Sequence, residues 1–180
     1  MEKRNTLIIV GLVCLVISLV LVGRYAGNNQ TNSVIKAKVA PIGTRIRTSG
    51  CQANGALPDK DCTPGAILNS TKSEICTPGY STKVRNVTVS TKNQVYAEYG
   101  IVSHTTGEYE VDHLISLELG GSNDIANLWP EAAKPTPGFH EKDKVENYLH
   151  DQVCNGSLDL KDAQEIIAND WLTIYKQMGN

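Results

Sequence analysis

No two of the chain's cysteines stand close together. Beyond the N-terminal apolar run, Cys51, Cys62, Cys76 and Cys154 are separated by 10, 13 and 77 residues. Structural zinc sites usually draw their ligands from tight Cys-x-x-Cys pairs, so zinc is the weaker reading of this set. The chain also lacks the charge of a protein that grips a nucleic-acid duplex. Its formal net charge is −2, and residues 105–180 carry five basic against fourteen acidic residues. Affinity for nucleic acid rests mostly on Lys and Arg meeting phosphates, and neither a basic groove, a zinc finger nor a recognition helix is visible.

Charge of either sign is missing from Thr6 to Val22, TLIIVGLVCLVISLVLV, with Lys3 and Arg4 before it and Arg24 after it. The run approaches the roughly 18–20 apolar residues that cross a bilayer as a helix, and Tyr25-Ala26-Gly27 makes a poor cleavage site. Residues 1–23 are therefore expected to be a signal anchor, with secretion after cleavage as the alternative. Residues 24–50 hold five basic and no acidic residues, with Asn, Thr and Gly and no sustained apolar period. They read as a flexible basic stalk.

With Cys14 inside the apolar run, the remaining four cysteines form an even set suited to two disulfides outside the cytoplasm. Of the three possible pairings, Cys51 with Cys62 and Cys76 with Cys154 is preferred, because it gives one local staple and one long clasp. Residues 51–89 repeat the phrase Cys-Thr-Pro-Gly at Cys62 and Cys76, and each Pro-Gly marks a turn. This segment reads as a loop-rich, disulfide-stapled lead-in to a domain over 90–180.

Within that domain, Ser90-Thr91 can cap a short helix that ends at Gly100, with Val95 and Tyr99 on its buried face. From Glu108 to Leu119 the residues alternate and favour β structure until Gly120-Gly121, which predicts a strand or hairpin arm and then a loop. His140 to Cys154 has helical spacing through Val145, Leu149 and Val153. A last helix, capped by Asp159, aligns Ala163, Ile166, Ile167, Trp171, Ile174 and Met178 in one apolar stripe. His104 and His150 belong to no motif and are expected on the surface. Trp129 and Pro130 read as packing and turn residues.

The chemistry concentrates in residues 111–150, VDHLISLELGGSNDIANLWPEAAKPTPGFHEKDKVENYLH. An acid and a histidine end a strand, a Gly-Gly loop and Asn-Leu-Trp-Pro follow, and a helix opens at His140. This pattern resembles the HNH endonucleases (His-Asn-His, ββα-metal or His-Me finger), in particular small bacterial extracytoplasmic members, over about residues 74–178. The resemblance implies an α+β fold with a ββα-metal core and flanking helices. It also implies His113 as general base, Asp112 as metal ligand and Asn127 as the residue that orients the hairpin or the base.

By the same resemblance the helix-borne metal ligand best matches His140, with Asp143 as the alternative and Glu146 one turn on. Lys142, Asp143, Lys144 and Glu146 otherwise read as a solvated helix face with ion pairs. Arg85 is a candidate phosphate contact, with a structural ion pair as its other reading. The implied cofactor is one divalent ion, Mg²⁺, Mn²⁺, Ni²⁺ or Zn²⁺, and the implied partner is nucleic acid, DNA foremost, with a membrane bound through the N-terminal helix. Hydrolysis of a phosphodiester needs a deprotonated water, charge compensation at the phosphate and stabilisation of the departing oxygen, and this set can supply all three. Two other readings stand beside it: a non-catalytic envelope module on the same scaffold, and a hydrolase of another phosphodiester.

Overall fold

The computed structural model describes residues 42–179. The expected anchor over residues 1–23 and most of the expected stalk lie outside these residues. Among the described residues no helix is long and apolar enough to cross a membrane. They form an α+β domain of five helices and one antiparallel hairpin. In chain order these are α1 (Lys72–Ile75), α2 (Tyr80–Val84), α3 (Val89–Glu98), β1 (Tyr109–His113), β2 (Leu128–Ala132), α4 (Phe139–Asn155) and α5 (Leu160–Gln177).

The end of the expected stalk is tied to the domain. Arg45 ion-pairs with Glu98 and donates to the Cys62 carbonyl at 2.9 Å, while Arg47 bridges Asp59 and Asp61 at 3.0 and 2.9 Å. The lead-in is stapled as expected, with Cys51 bonded to Cys62 and Cys76 to Cys154. The second bridge spans a sequence separation of 78 residues, and closing a loop of that size removes unfolded-chain entropy worth about 4 kcal/mol. It fixes the segment entering α2 to the last turn of α4.

Helices α4 and α5 form because their apolar residues recur at helical spacing and face one another. Val145, Leu149 and Val153 of α4 meet Ala163, Ile167, Trp171 and Ile174 of α5, with Ile75, Ile115 and Leu119 completing this cluster. Gly156, in the left-handed region at φ 88°, stops α4. Asp159 occupies the α5 cap position without a side-chain capping bond. At Asp170 the helix kinks, and the Asp170 carboxylate accepts from the Thr173 N–H and hydroxyl to restart it.

Helix α3 begins two or three residues earlier than Ser90-Thr91 suggest. Thr88 is the cap, its hydroxyl accepting from the Thr91 N–H at 3.1 Å. The helix packs Val95 against Val111 and Leu128, the second core cluster, on one face of the hairpin. In that hairpin Val111 pairs with Pro130, Asp112 with Trp129 and His113 with Leu128. Pro130 is thus a strand residue and not a turn residue, which a two-stranded sheet tolerates because every strand has a free edge.

The strand expected as far as Leu119 ends at His113. Leu114, Ile115, Leu117 and Leu119 are all buried, so the segment cannot alternate between core and solvent, and Leu117–Leu119 coil into a single 3-10 turn. Gly120 closes that turn at φ 76°. At Gly121 a Cβ would lie 1.8 Å from the Ile115 carbonyl oxygen, so the chain can fold back over the strand end only with glycine there.

Candidate active site

Pleating sets where the hairpin's acids point. Successive strand residues alternate faces, so Glu110, Asp112 and Glu131 share the side opposite Val111. That side meets α4. Lys142, expected on a solvated face, is fully buried there. Its ammonium donates to Asp112 Oδ2 at 2.6 Å and to the His113 carbonyl at 2.8 Å, and it ion-pairs with Glu146 one turn along α4. The Glu131 carboxylate lies 4.0 Å away.

Burial disfavours every charge in this cluster, and the arrangement decides which ones survive. Lys142 is itself penalised by burial, but Asp112, Glu146 and Glu131 outweigh that and raise its pKa. Asp112 is likewise penalised by burial, yet Lys142 holds it below the usual aspartate range. Glu131 is fully buried and neither of its oxygens accepts a hydrogen bond, so burial drives its pKa well up. Burial thus favours its protonated form, and the charge on Asp112 pushes the same way. Burial raises Glu146 to about 7, with Lys142 opposing.

These shifts fix the sign of a pH effect. Stability from Asp112 is present above its ordinary value of 3.8 and is lost as pH falls through its lowered folded value. Stability from Glu131 and Glu146 is present below 4.5 and is lost as pH rises through their folded values, about 7 for Glu146. The stability that Glu146 contributes should accordingly fall between about pH 4.5 and pH 7, so the melting temperature of Glu146→Gln should rise relative to the wild type across that window. Circular dichroism melts of both proteins check this; equal slopes would contradict it.

His113 ends β1 and is 2% exposed. Burial, with Arg85 and Lys142 adding to it, lowers its pKa to about 4, so the imidazole is neutral at physiological pH. Its Nε2 lies 3.2 Å from Asn123 Oδ1. Asn127 is also buried, and it is a clamp. Its Oδ1 accepts from the Ile115 N–H at 2.9 Å, and its Nδ2 donates to the Ile115 and Ser122 carbonyls at 3.0 and 2.9 Å. Every bond of this amide goes to backbone, so Asn127 holds the loop after His113 and does not touch the imidazole.

Outside the buried cluster, Glu110, Asp143, His140 and Arg85 are exposed. Burial raises Glu110 and Asp143, and the charge on Asp112 pushes both further up. His140 and Arg85 act on Asp143 in the opposite direction. Arg85 follows α2 and makes no ion pair with the described residues. His150, expected on the surface, is half-buried beside the long disulfide, with Nε2 3.2 Å from the Ile75 carbonyl.

Among the described residues one trio of side chains converges as metal ligands can, with Cys76, His150 and Cys154 donor atoms within 4.8 Å of one another. Two of the three are joined in the disulfide, which spends their sulfurs. No such trio surrounds Asp112. The donors there are mutually repelling carboxylates, Asp112, Asp143 and Glu110, with His140 beside Asp143.

Sequence reasoning missed three members of the site. Lys142 reads as one charge of a solvated helix face, and neither Glu131 nor Asn123 carries a role in the sequence pattern. The one available signal was Glu131 lying in register with the acidic strand, opposite Glu110. Comparison with family models, with curated proteins and with solved structures finds no match to this chain.

Proposed function

We propose that the protein is a metal-dependent endonuclease of the HNH type that hydrolyses phosphodiester bonds of nucleic acid, DNA foremost, with weak sequence preference. One observation carries this reading. A buried, neutral imidazole, His113, ends a hairpin strand directly after a carboxylate, Asp112, that a helix facing the hairpin holds ionised. A hairpin and a helix around an Asp-His pair are the parts of a ββα-metal core.

In this reading neutral His113 takes the proton from the attacking water. Exposed Arg85, without an ion pair among the described residues and electrostatically coupled to His113 and Asp143, offers its guanidinium to the phosphate. Asp112 would hold the divalent ion with one ligand from α4, His140 or Asp143. The ion supplies charge for the phosphate and the departing oxygen. Lys142 keeps Asp112 ionised and aimed, and Asn127 keeps the loop after His113 in place. The two disulfides support an oxidising compartment, consistent with a C-terminal domain outside the cytoplasm behind an N-terminal anchor. The surplus of acidic residues over 105–180 favours the rival, a non-catalytic envelope module.

Incubation with plasmid separates the two. The protein should nick it with Mg²⁺ or Mn²⁺ and stop with EDTA, and calorimetric titration should then assign the ion's ligands. His140, the helix-borne ligand that the resemblance implies, and Asp143, which lies in the field of Asp112, are the two candidates: the variant that removes the true ligand should weaken metal binding roughly tenfold or more, and the other much less. Loss of affinity in His140→Ala alone assigns the role to the imidazole, and loss in Asp143→Ala alone transfers it to the carboxylate. No cleavage under any divalent ion leaves the binding module.

A further inference from the structure

The side chain of Asn123 makes three contacts, and two of them are to backbone. Its Nδ2 is 2.8 Å from the Val84 carbonyl oxygen, and its Oδ1 is 3.0 Å from the Asn86 nitrogen. A backbone carbonyl can only accept and a backbone N–H can only donate, so these two bonds leave a single orientation of the amide. Oδ1 is therefore the atom that faces His113, at 3.2 Å from Nε2. An amide oxygen cannot donate. The hydrogen between them must sit on Nε2, and a neutral imidazole then carries its lone pair on Nδ1.

We infer that Asn123 is a positioning residue: it fixes His113 in the Nε2–H tautomer and so makes Nδ1 the nitrogen that takes the proton from water. The last step rests on the nuclease reading; the tautomer does not. The same side chain does a second job, because Val84 and Asn86 flank Arg85. Asn123 grips the backbone on both sides of that residue and the ring of His113 together, which sets the distance between the base and the phosphate contact. Asn123 is in turn carried by the loop that Asn127 clamps through the Ser122 carbonyl. A chain of amides thus runs from the hairpin, through the loop, to the lead-in.

The test uses the full chain with ¹⁵N-labelled histidine at neutral pH, without added metal. The wild type should show His113 Nε2 protonated, its proton protected from exchange, and Nδ1 bare. Asn123→Ala should lose that protection and lower kcat roughly 10- to 100-fold with KM little changed. Asn123→Asp can still accept from His113 and Asn86, though it cannot donate to Val84. It should keep the Nε2–H signal and recover activity relative to alanine. Far-UV circular dichroism confirms that each variant is folded. A proton on Nδ1 in the wild type overturns the inference, and so does Asn123→Ala with both its protected Nε2 proton and its kcat intact. A brace of purely structural kind would leave the His113 spectrum unmoved in both variants. If the wild type cleaves no nucleic acid but the spectra behave as described, the nuclease reading fails and the tautomer assignment stands.

Discussion

Lys142→Met should cost about 3–5 kcal/mol of stability, although it exchanges one long side chain for another of similar reach. The ammonium has zero side-chain exposure and neutralises Asp112 and Glu146, whose side chains are each 14% exposed. Removing it leaves two largely buried carboxylates facing each other and the Glu131 acid, with no counter-charge. Both would have to take up protons or draw in water. A loss of this size in a domain of this length lowers the melting temperature by about 10 °C or more. The penalty should depend on the carboxylates. In an Asp112→Asn, Glu146→Gln background the same change should cost far less, since the charges left uncompensated are gone. Urea unfolding of the four proteins measures the coupling. Additive effects would mean that Lys142 is not the hub of the cluster.

The consequence for function runs through Asp112. Its carboxylate is held ionised against burial chiefly by Lys142, with hydrogen bonds from Glu131 and the His113 backbone adding to it. Lys142 also donates to the His113 carbonyl, so one ammonium holds the Asp112 carboxylate and the backbone just after His113 together. The site is therefore supported from two directions. Lys142 holds its backbone from α4, and Asn123 holds its imidazole from the loop side.

What could be read from the sequence was whatever local pattern decides. Helices α4 and α5 follow from apolar residues at helical spacing bounded by Gly156 and Asp159, and two disulfides follow from the even number of cysteines, while the choice among three pairings is made by the fold. The α+β class follows from helices flanking one β-rich stretch. The start of α3 differs by two or three residues because Thr88, Ser90 and Thr91 are all competent caps, and Thr88 is the one whose hydroxyl takes the capping bond. The end of β1 was misjudged because an apolar run keeps its β appearance even where both sides are buried. Lys142 was illegible for a deeper reason. In Glu-Lys-Asp-Lys-Val-Glu every charged residue looks solvated, and nothing local says that one of them meets Asp112 and Glu131 from a hairpin thirty and eleven residues earlier. Asn123 is the same kind of case, since its partners Val84, Asn86 and His113 come from two other segments.

The central claim is that His113 is the base of a phosphodiester hydrolase, and removing its imidazole tests that claim most directly. His113 touches Asn123 and otherwise fills a buried space, so His113→Ala leaves the Lys142 cluster and the clamp of Asn127 in place. Removing the proton acceptor should cost at least the factor of roughly 10²–10⁴ that a positioned acid or base contributes. The measurement is single-turnover cleavage of an end-labelled oligonucleotide by the full chain with Mg²⁺ or Mn²⁺, beside a calorimetric metal titration of both proteins. The account predicts products ending in 5′-phosphate from the wild type, and from His113→Ala a cleavage rate reduced by at least about a hundredfold with metal affinity unchanged. A folded His113→Ala protein that cleaves at the wild-type rate would contradict it.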